Sequence, residues 1–267
     1  MDVTEAGREA RAMQRYFIPP GHFLEDSVVV EGEDARHIAR VMRSRPGHQF
    51  IVSDGISREA LVEIEEIGAE RVAAVIIEKL DMTSEPQVQV TVAQSLPKGD
   101  KMELVIQKCT ELGAYAFVPF LSDRTVVQYD GKKEAKRLER WRKIAKEAAE
   151  QSHRNRIPEL TAPLSWKQLL ASFTGYDLVC YCYEKESGRQ LRDVIAPFMQ
   201  GRDNGAPAPR ILLVIGPEGG FTEQESVEAE TAGAQSTGLG RRILRAETAG
   251  MTALACILYE SGEMGGI

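Results

Sequence analysis

Cysteine is scarce in this 267-residue chain, with one each at 109, 180, 182 and 256. Thiols so thinly spread exclude a disulfide framework, and a reducing cytosol is the expected compartment. Cys180 and Cys182 sit as C-x-C in an apolar run without histidines at zinc-ligand spacing. His22, His37, His48 and His153 show no metal spacing either, so no metal is expected. Long apolar runs are also missing. No window approaches the roughly eighteen apolar residues of a membrane-spanning helix, so no membrane partner is expected. The opening MDVTEAGREARA lacks the apolar core of a secretory signal. Aromatic residues make up only 6%, but apolar residues reach 43% and charged residues 27%, a globular balance that excludes a disordered chain.

The formal charge is −7, which taken alone argues against a nucleic-acid partner. The distribution says otherwise. Residues 1–82 carry 10 Lys/Arg against 16 Asp/Glu, whereas residues 132–156 carry 10 against 4. A local excess of that size creates a favourable field for phosphates, although a solvated helix face has the same composition.

Short apolar or alternating runs at 28–30, 48–53, 58–65 and 71–77, with one helix at 34–43, predict a small β-barrel at 13–82. In the third run Ala60, Val62 and Ile64 form the inward face. The helix should place Ile38, Val41 and Met42 on one side. Residues 83–87, Thr-Ser-Glu-Pro-Gln, mark a linker, and residues 1–12 an extension. Beyond the linker, strands at 88–95, 115–120, 177–183 and 211–215 alternate with helices at 100–112, 134–151, 191–199 and 222–232, the last opened by a Thr222/Glu225 capping box. A poorly charged, small-residue helix is expected at 246–259. The fold class is therefore α/β, with a mostly parallel sheet over 88–267, and ligands bind beyond the carboxyl ends of such strands.

Two glycine-rich segments follow strands there. Gly216-Pro217-Glu218-Gly219-Gly220 precedes the capped helix, and Gly238-Leu239-Gly240 precedes Arg241, Arg242 and Arg245. The first lacks the Lys-Ser/Thr ending of a P-loop, and the second has no third glycine at dinucleotide spacing. Bare backbone with few charged phosphate ligands suits a nucleoside-like cofactor held by main-chain polar groups.

Three long segments in order, LPKGDKMELVIQKCTELGA (96–114), VIGPEGGFT (214–222) and LGRRILRAETA (239–249), resemble one family. It is the bacterial small-subunit ribosomal RNA uridine-N3 methyltransferases of the RsmE type, within the SPOUT superfamily. Arg15-Tyr16-Phe17, residues 37–43 and Arg124 extend the resemblance over about 13–260. It implies a PUA-like RNA-binding barrel followed by an α/β trefoil knot that binds S-adenosylmethionine. It also implies a homodimer acting on a uridine N3 of 16S ribosomal RNA within the small subunit. His153, where a small residue is usual, and Thr125, where serine is usual, depart from the pattern.

The resemblance and the chemistry together assign residues. Leu213, Ile215, Gly216, Gly219, Gly220, Leu239, Gly240, Ile243, Leu244 and Thr248 are expected around the cofactor. Glu218 is placed as a catalytic base or as a partner of the cofactor's amino group, and Arg245 as the cation facing the uracil anion or a phosphate. Arg241 and Arg242 meet phosphate or solvent. Arg15, Lys98, Arg124 and Arg154 are expected on the RNA face, Glu247 could pair with an arginine, and His37 reads as structural. Three rivals stand beside this reading: a non-catalytic RNA-binding factor, a methylase of another nucleotide or of tRNA, and an oxidoreductase. The intact glycine loops count against the first, the motif match against the second and the missing dinucleotide fingerprint against the third.

Overall fold

A computed structural model describes residues 13–127, 131–203 and 205–264, without the side chains of 131–133. The extension expected at 1–12 lies outside the described residues. The chain divides into two compact units. One comprises the chain up to Glu85 with Ala149–Ile157, the other Pro86–Ala148 with the chain from Pro158 onward.

In the first unit, β1 (Arg15–Phe17), β2 (Ser27–Glu31), β3 (Gln49–Ser53), β4 (Glu59–Ile67) and β5 (Arg71–Leu80) form a sheet in the order β1-β3-β4-β5-β2. All pairs are antiparallel except β1 with β3. The result is a half-barrel. Ala60, Val62 and Ile64 do alternate inward, and they meet Val28, Val30, Val52, Val72 and Ala74 in the core. The expected single helix differs. An α-helical turn, α1 (Gly32–Arg36), runs into a π-helical turn at His37–Val41. The wider turn keeps Ile38 in the core but leaves Val41 and Met42 exposed. The His37 ring hydrogen-bonds Tyr16 Oη at 2.9 Å.

Arg15 and Arg154, expected to face RNA, are 7% and 3% exposed. The Arg15 guanidinium pairs with Glu59 at 2.5 Å and donates to the Arg154 carbonyl at 3.0 Å. Asn155 donates to the same Glu59 oxygen at 2.6 Å, and Arg154 pairs with Glu85. Burial pushes Arg15 below its ordinary pKa and Glu59 above, each opposed by the other's charge. A guanidinium so enclosed must keep its internal partner, because an unpaired buried charge is costly. These two arginines therefore fasten the 149–157 segment to the half-barrel. At His153 the backbone takes φ 57°, the left-handed region. Glycine is freest there, and histidine enters this region more readily than most side chains.

The β3–β4 turn depends on Asp54. Burial would raise its pKa, but hydrogen bonds from the Ile56, Ser57 and Arg58 amides and from Arg58 Nε outweigh it and hold the group at about 2. The folded value lies below the unfolded one of about 3.9, so the stabilisation is complete above that pH and is lost as pH falls toward 2. Urea unfolding should lose about 2 kcal/mol over that interval, and Asp54→Asn should lack this part of the acid dependence.

In the second unit, β6 (Gln89–Ser95), β7 (Ala116–Leu121), β8 (Glu159–Leu160), β10 (Leu178–Cys182), β11 (Arg210–Ile215) and β12 (Gln235–Thr237) form a parallel sheet in the order β12-β10-β11-β6-β7-β8. The short β9 (Leu164–Ser165) also pairs with β7. Buried on both faces, β11 reads as a continuous apolar run, as central parallel strands do. One face packs Leu212 and Val214 with Phe120, Tyr181 and Phe221. Six α-helices among the described residues complete the unit: α2 (Lys101–Leu112), α3 (Gly131–Gln151, ending in the first unit), α4 (Trp166–Ser172), α5 (Leu191–Gln200), α6 (Glu223–Thr231) and α7 (Ala246–Glu260). Ala253, Leu254, Ile257 and Leu258 of α7 are wholly buried against the sheet and its neighbouring helices.

Candidate functional site

The parallel register brings four strand ends together. Gln94 of β6 lies beside Ile215 of β11, Ile215 beside Cys182 of β10, and Cys182 beside Thr237 of β12. The three loops leaving β10, β11 and β12 therefore emerge side by side, at the carboxyl edge where open α/β sheets bind ligands. Between them lies a cavity of about 580 Å³.

The first glycine loop is anchored at both ends. Phe221 is buried, with its ring centroid 5.0 Å from that of Tyr181 and 5.6 Å from that of Trp166. The buried Gln94 side chain donates to the Ser95 carbonyl at 3.0 Å and to the Gly216 carbonyl at 3.3 Å. Thr222 Oγ1 accepts from the Glu225 amide, and the Glu225 carboxylate accepts from the Thr222 and Asp123 amides. Gly220 has φ 66°, and a Cβ there would run into the Glu184 carboxylate. In the second loop a Cβ on Gly238 would stand 2.8 Å from the Glu186 carbonyl oxygen. Both positions need glycine, Gly220 for its backbone conformation and Gly238 for clearance from a backbone carbonyl.

Of the residues expected around a cofactor, Ile215, Gly216, Gly219, Gly220, Leu239, Gly240, Ile243 and Leu244 line this cavity, as do Glu218 and Arg245. Leu213 is wholly buried within β11, and Thr248 lies half-buried in the first turn of α7; neither lines it. Ile243 is 88% exposed, a large apolar side chain held at the rim rather than in the core. The wall also includes Cys182, Tyr183, Glu184, Glu186 and Thr237 from the β10 and β12 ends. No motif marked these: Tyr183, Glu184 and Glu186 follow the apolar run of β10, but Thr237 ends a three-residue strand without a pattern.

Glu218 is a held carboxylate. It accepts from Lys101 Nζ at 2.7 Å and from the Lys98 amide at 3.1 Å. Partial burial raises its pKa, but Lys101 and these amides outweigh it and leave the group below the ordinary range. Lys101 also faces Glu247 at 3.6 Å. Arg124 Nη1 donates to the Gly219 carbonyl at 2.7 Å, so this side chain braces the first glycine loop. The hydroxyls of Ser95, Ser122 and Thr125 close a triangle of 2.9–3.0 Å contacts, which needs only a hydroxyl at 125. Threonine therefore serves where serine is usual. Lys98 exposes its side chain beside this wall.

Comparison with known proteins now bears on the site. A family model described as an RNA methyltransferase domain matches residues 83–258, and one described as an RNA methyltransferase PUA domain matches 30–77. Ribosomal RNA small subunit methyltransferase E of Bacillus subtilis is 40% identical over 252 residues, 93% of this chain and 97% of that protein. The protein of the same name from Synechocystis is 35% identical over 91% of this chain and 76% of its own length. The chain belongs to the ribosomal RNA small subunit methyltransferase E family. Among solved structures, the Neisseria gonorrhoeae member bound to S-adenosyl methionine superposes with TM-score 0.81. It is 30% identical, covering 95% of this chain and all of that one. A putative methyltransferase from Legionella pneumophila, in complex with the same molecule, gives TM-score 0.80 at 30% identity, over 92% and 97% of the two chains. The family assignment rests on the whole chain, and the cavity is the part of it with the chemistry of a ligand site.

Phe221→Ala tests the anchoring. Removing a wholly buried ring should cost about 3–5 kcal/mol in urea unfolding, and proteolysis should then cut first between residues 216 and 222.

Proposed function

We propose that this protein transfers the methyl group of S-adenosylmethionine to N3 of a uridine in 16S ribosomal RNA. The observation that carries the reading is the cavity enclosed by two glycine loops at the ends of β11 and β12, in a chain of this family. The residues fit the cofactor. Close backbone at Gly220 and Gly238, apolar Ile215, Leu239 and Leu244, and carboxylates at Glu184, Glu186 and Glu218 suit a cationic nucleoside. When bound, that cofactor supplies an electrophilic methyl group.

The protein's residues deal with the nucleophile. Uracil N3 carries a proton between two carbonyls, and its lone pair becomes available only as that proton leaves. Cationic groups favour the departure by stabilising charge on O2 and O4. Arg245, in the cavity wall, supplies this charge, whereas Lys101 in the same wall is already paired with Glu218. Glu218, held below the ordinary carboxylate range by Lys101, is charged at neutral pH and a poor proton acceptor. It therefore serves as a fixed negative charge toward the cofactor's cationic groups, and the N3 proton passes to solvent water at the exposed rim of the cavity. The loops hold the reacting groups close. The target base must be presented out of its stack to enter.

The homodimer belongs to the same reading. The exposed Ile243 and Tyr259 and the half-buried Ala249, Thr252 and Ala255 of α7 support a second copy packing beside the cavity. Size measurement in solution should give twice the chain mass.

The direct test is transfer of labelled methyl from S-adenosylmethionine to small ribosomal subunits that lack the modification. One uridine of 16S RNA should gain a methyl at N3 by mass mapping. No transfer, or label on another base, contradicts the reading. Gly238→Val should weaken donor binding by more than about tenfold in calorimetry while leaving RNA affinity unchanged.

A further inference from the structure

The second unit contains another recess. About 330 Å³ in volume, it lies between the 96–100 loop and helix α3. Its floor is apolar, with Leu96, Met102 and the buried Trp141, and its helix wall presents Lys136, Arg137 and Arg140. Arg140 pairs with Glu103 at 2.6 Å. Lys136 and Arg137 are exposed and have no ion pair among the described residues. Asp100, in the lining at the start of α2, is the other carboxylate, and the recess remains net positive. The 96–100 loop lines this recess and also touches Glu218 in the wall of the cofactor cavity. On that side the Lys98 amide and the adjoining Lys101 ammonium hold Glu218.

We propose that this groove binds the substrate RNA strand next to the target uridine. A phosphodiester would lie on Lys136 and Arg137, and a neighbouring ribose or base over Leu96, Met102 and the Trp141 edge. The inference rests on the methyl-transfer reading of the adjoining cavity and names a subsite that reading does not contain. The argument is charge complementarity with geometry. Two exposed cations without an ion pair among the described residues attract a polyanion, the apolar floor accepts a flat, partly apolar group, and the 96–100 loop, which contacts Glu218, brings the recess near the cavity. Single-stranded RNA meets both demands, because its bases are free to stack and its phosphates are spaced along the strand.

The test uses the whole protein and small ribosomal subunits. Lys136→Glu and Arg137→Glu, singly and together, are compared with Lys167→Glu, an exposed position on α4 outside the groove with the same charge change. The double variant should bind RNA about tenfold more weakly than wild type, with the salt dependence of log K shallower by about one unit. Its affinity for S-adenosylmethionine and its melting temperature should not change, and Lys167→Glu should behave as wild type. Lys136→Ala with Arg137→Ala should give the same direction with a smaller fall. Equal loss in Lys167→Glu, or no loss in the double variant, overturns the groove. If wild type binds RNA through the groove but transfers no methyl group, the methyl-transfer reading fails instead.

Discussion

Alignment of four parallel strand ends is the constraint on which this site depends. Gln94, Ile215, Cys182 and Thr237 stand side by side because β6, β11, β10 and β12 pair in one register. A one-residue slip would reverse the side chains across the sheet and separate the loops. Two buried side chains convert that register into a shaped cavity. Phe221 ties the end of the first loop to the aromatic core, and Gln94 ties its beginning to β6. The glycines can then remain bare where a ligand must approach, because neighbouring residues hold the loops.

Charge follows the same division between holding and presenting. Arg15 and Arg154 are internal, spent on Glu59, Glu85 and a backbone carbonyl. Arg124 is spent on the Gly219 carbonyl, and Lys101 on Glu218. Cations that face outward among the described residues include Lys98, Arg241 and Arg242 near the cavity and Lys136 and Arg137 along α3. The net charge of −7 conceals this arrangement, because phosphate attraction depends on a few unpaired cations rather than on the sum.

Much of the architecture could be read from hydrophobic pattern. α2 carries clear helical periodicity, β6 and β11 read as apolar runs of strand length, and the two glycine loops stand out between a strand and a helix. Short or locally irregular pieces could not be read so. β8, β9 and β12 have two or three residues each, too few to show a period. The π turn at His37–Val41 has no composition of its own, and it turned Val41 and Met42 away from the core. Pairing across distance was equally hidden. Arg15 and Arg154 look like surface cations until folding places Glu59 and Glu85 beside them, and residues 149–157 join the N-terminal unit from far along the chain. At the site, the loops were visible, whereas the wall from Tyr183, Glu186 and Thr237 required knowing which strands are neighbours.

Crystals grown with S-adenosylmethionine measure the central claim most directly. The account predicts the nucleoside between residues 216–221 and 238–245, with backbone groups of both loops on it and its methyl directed toward Arg245. Density elsewhere on the molecule, or loops 216–221 and 238–245 closed on each other with the cofactor excluded, would contradict it.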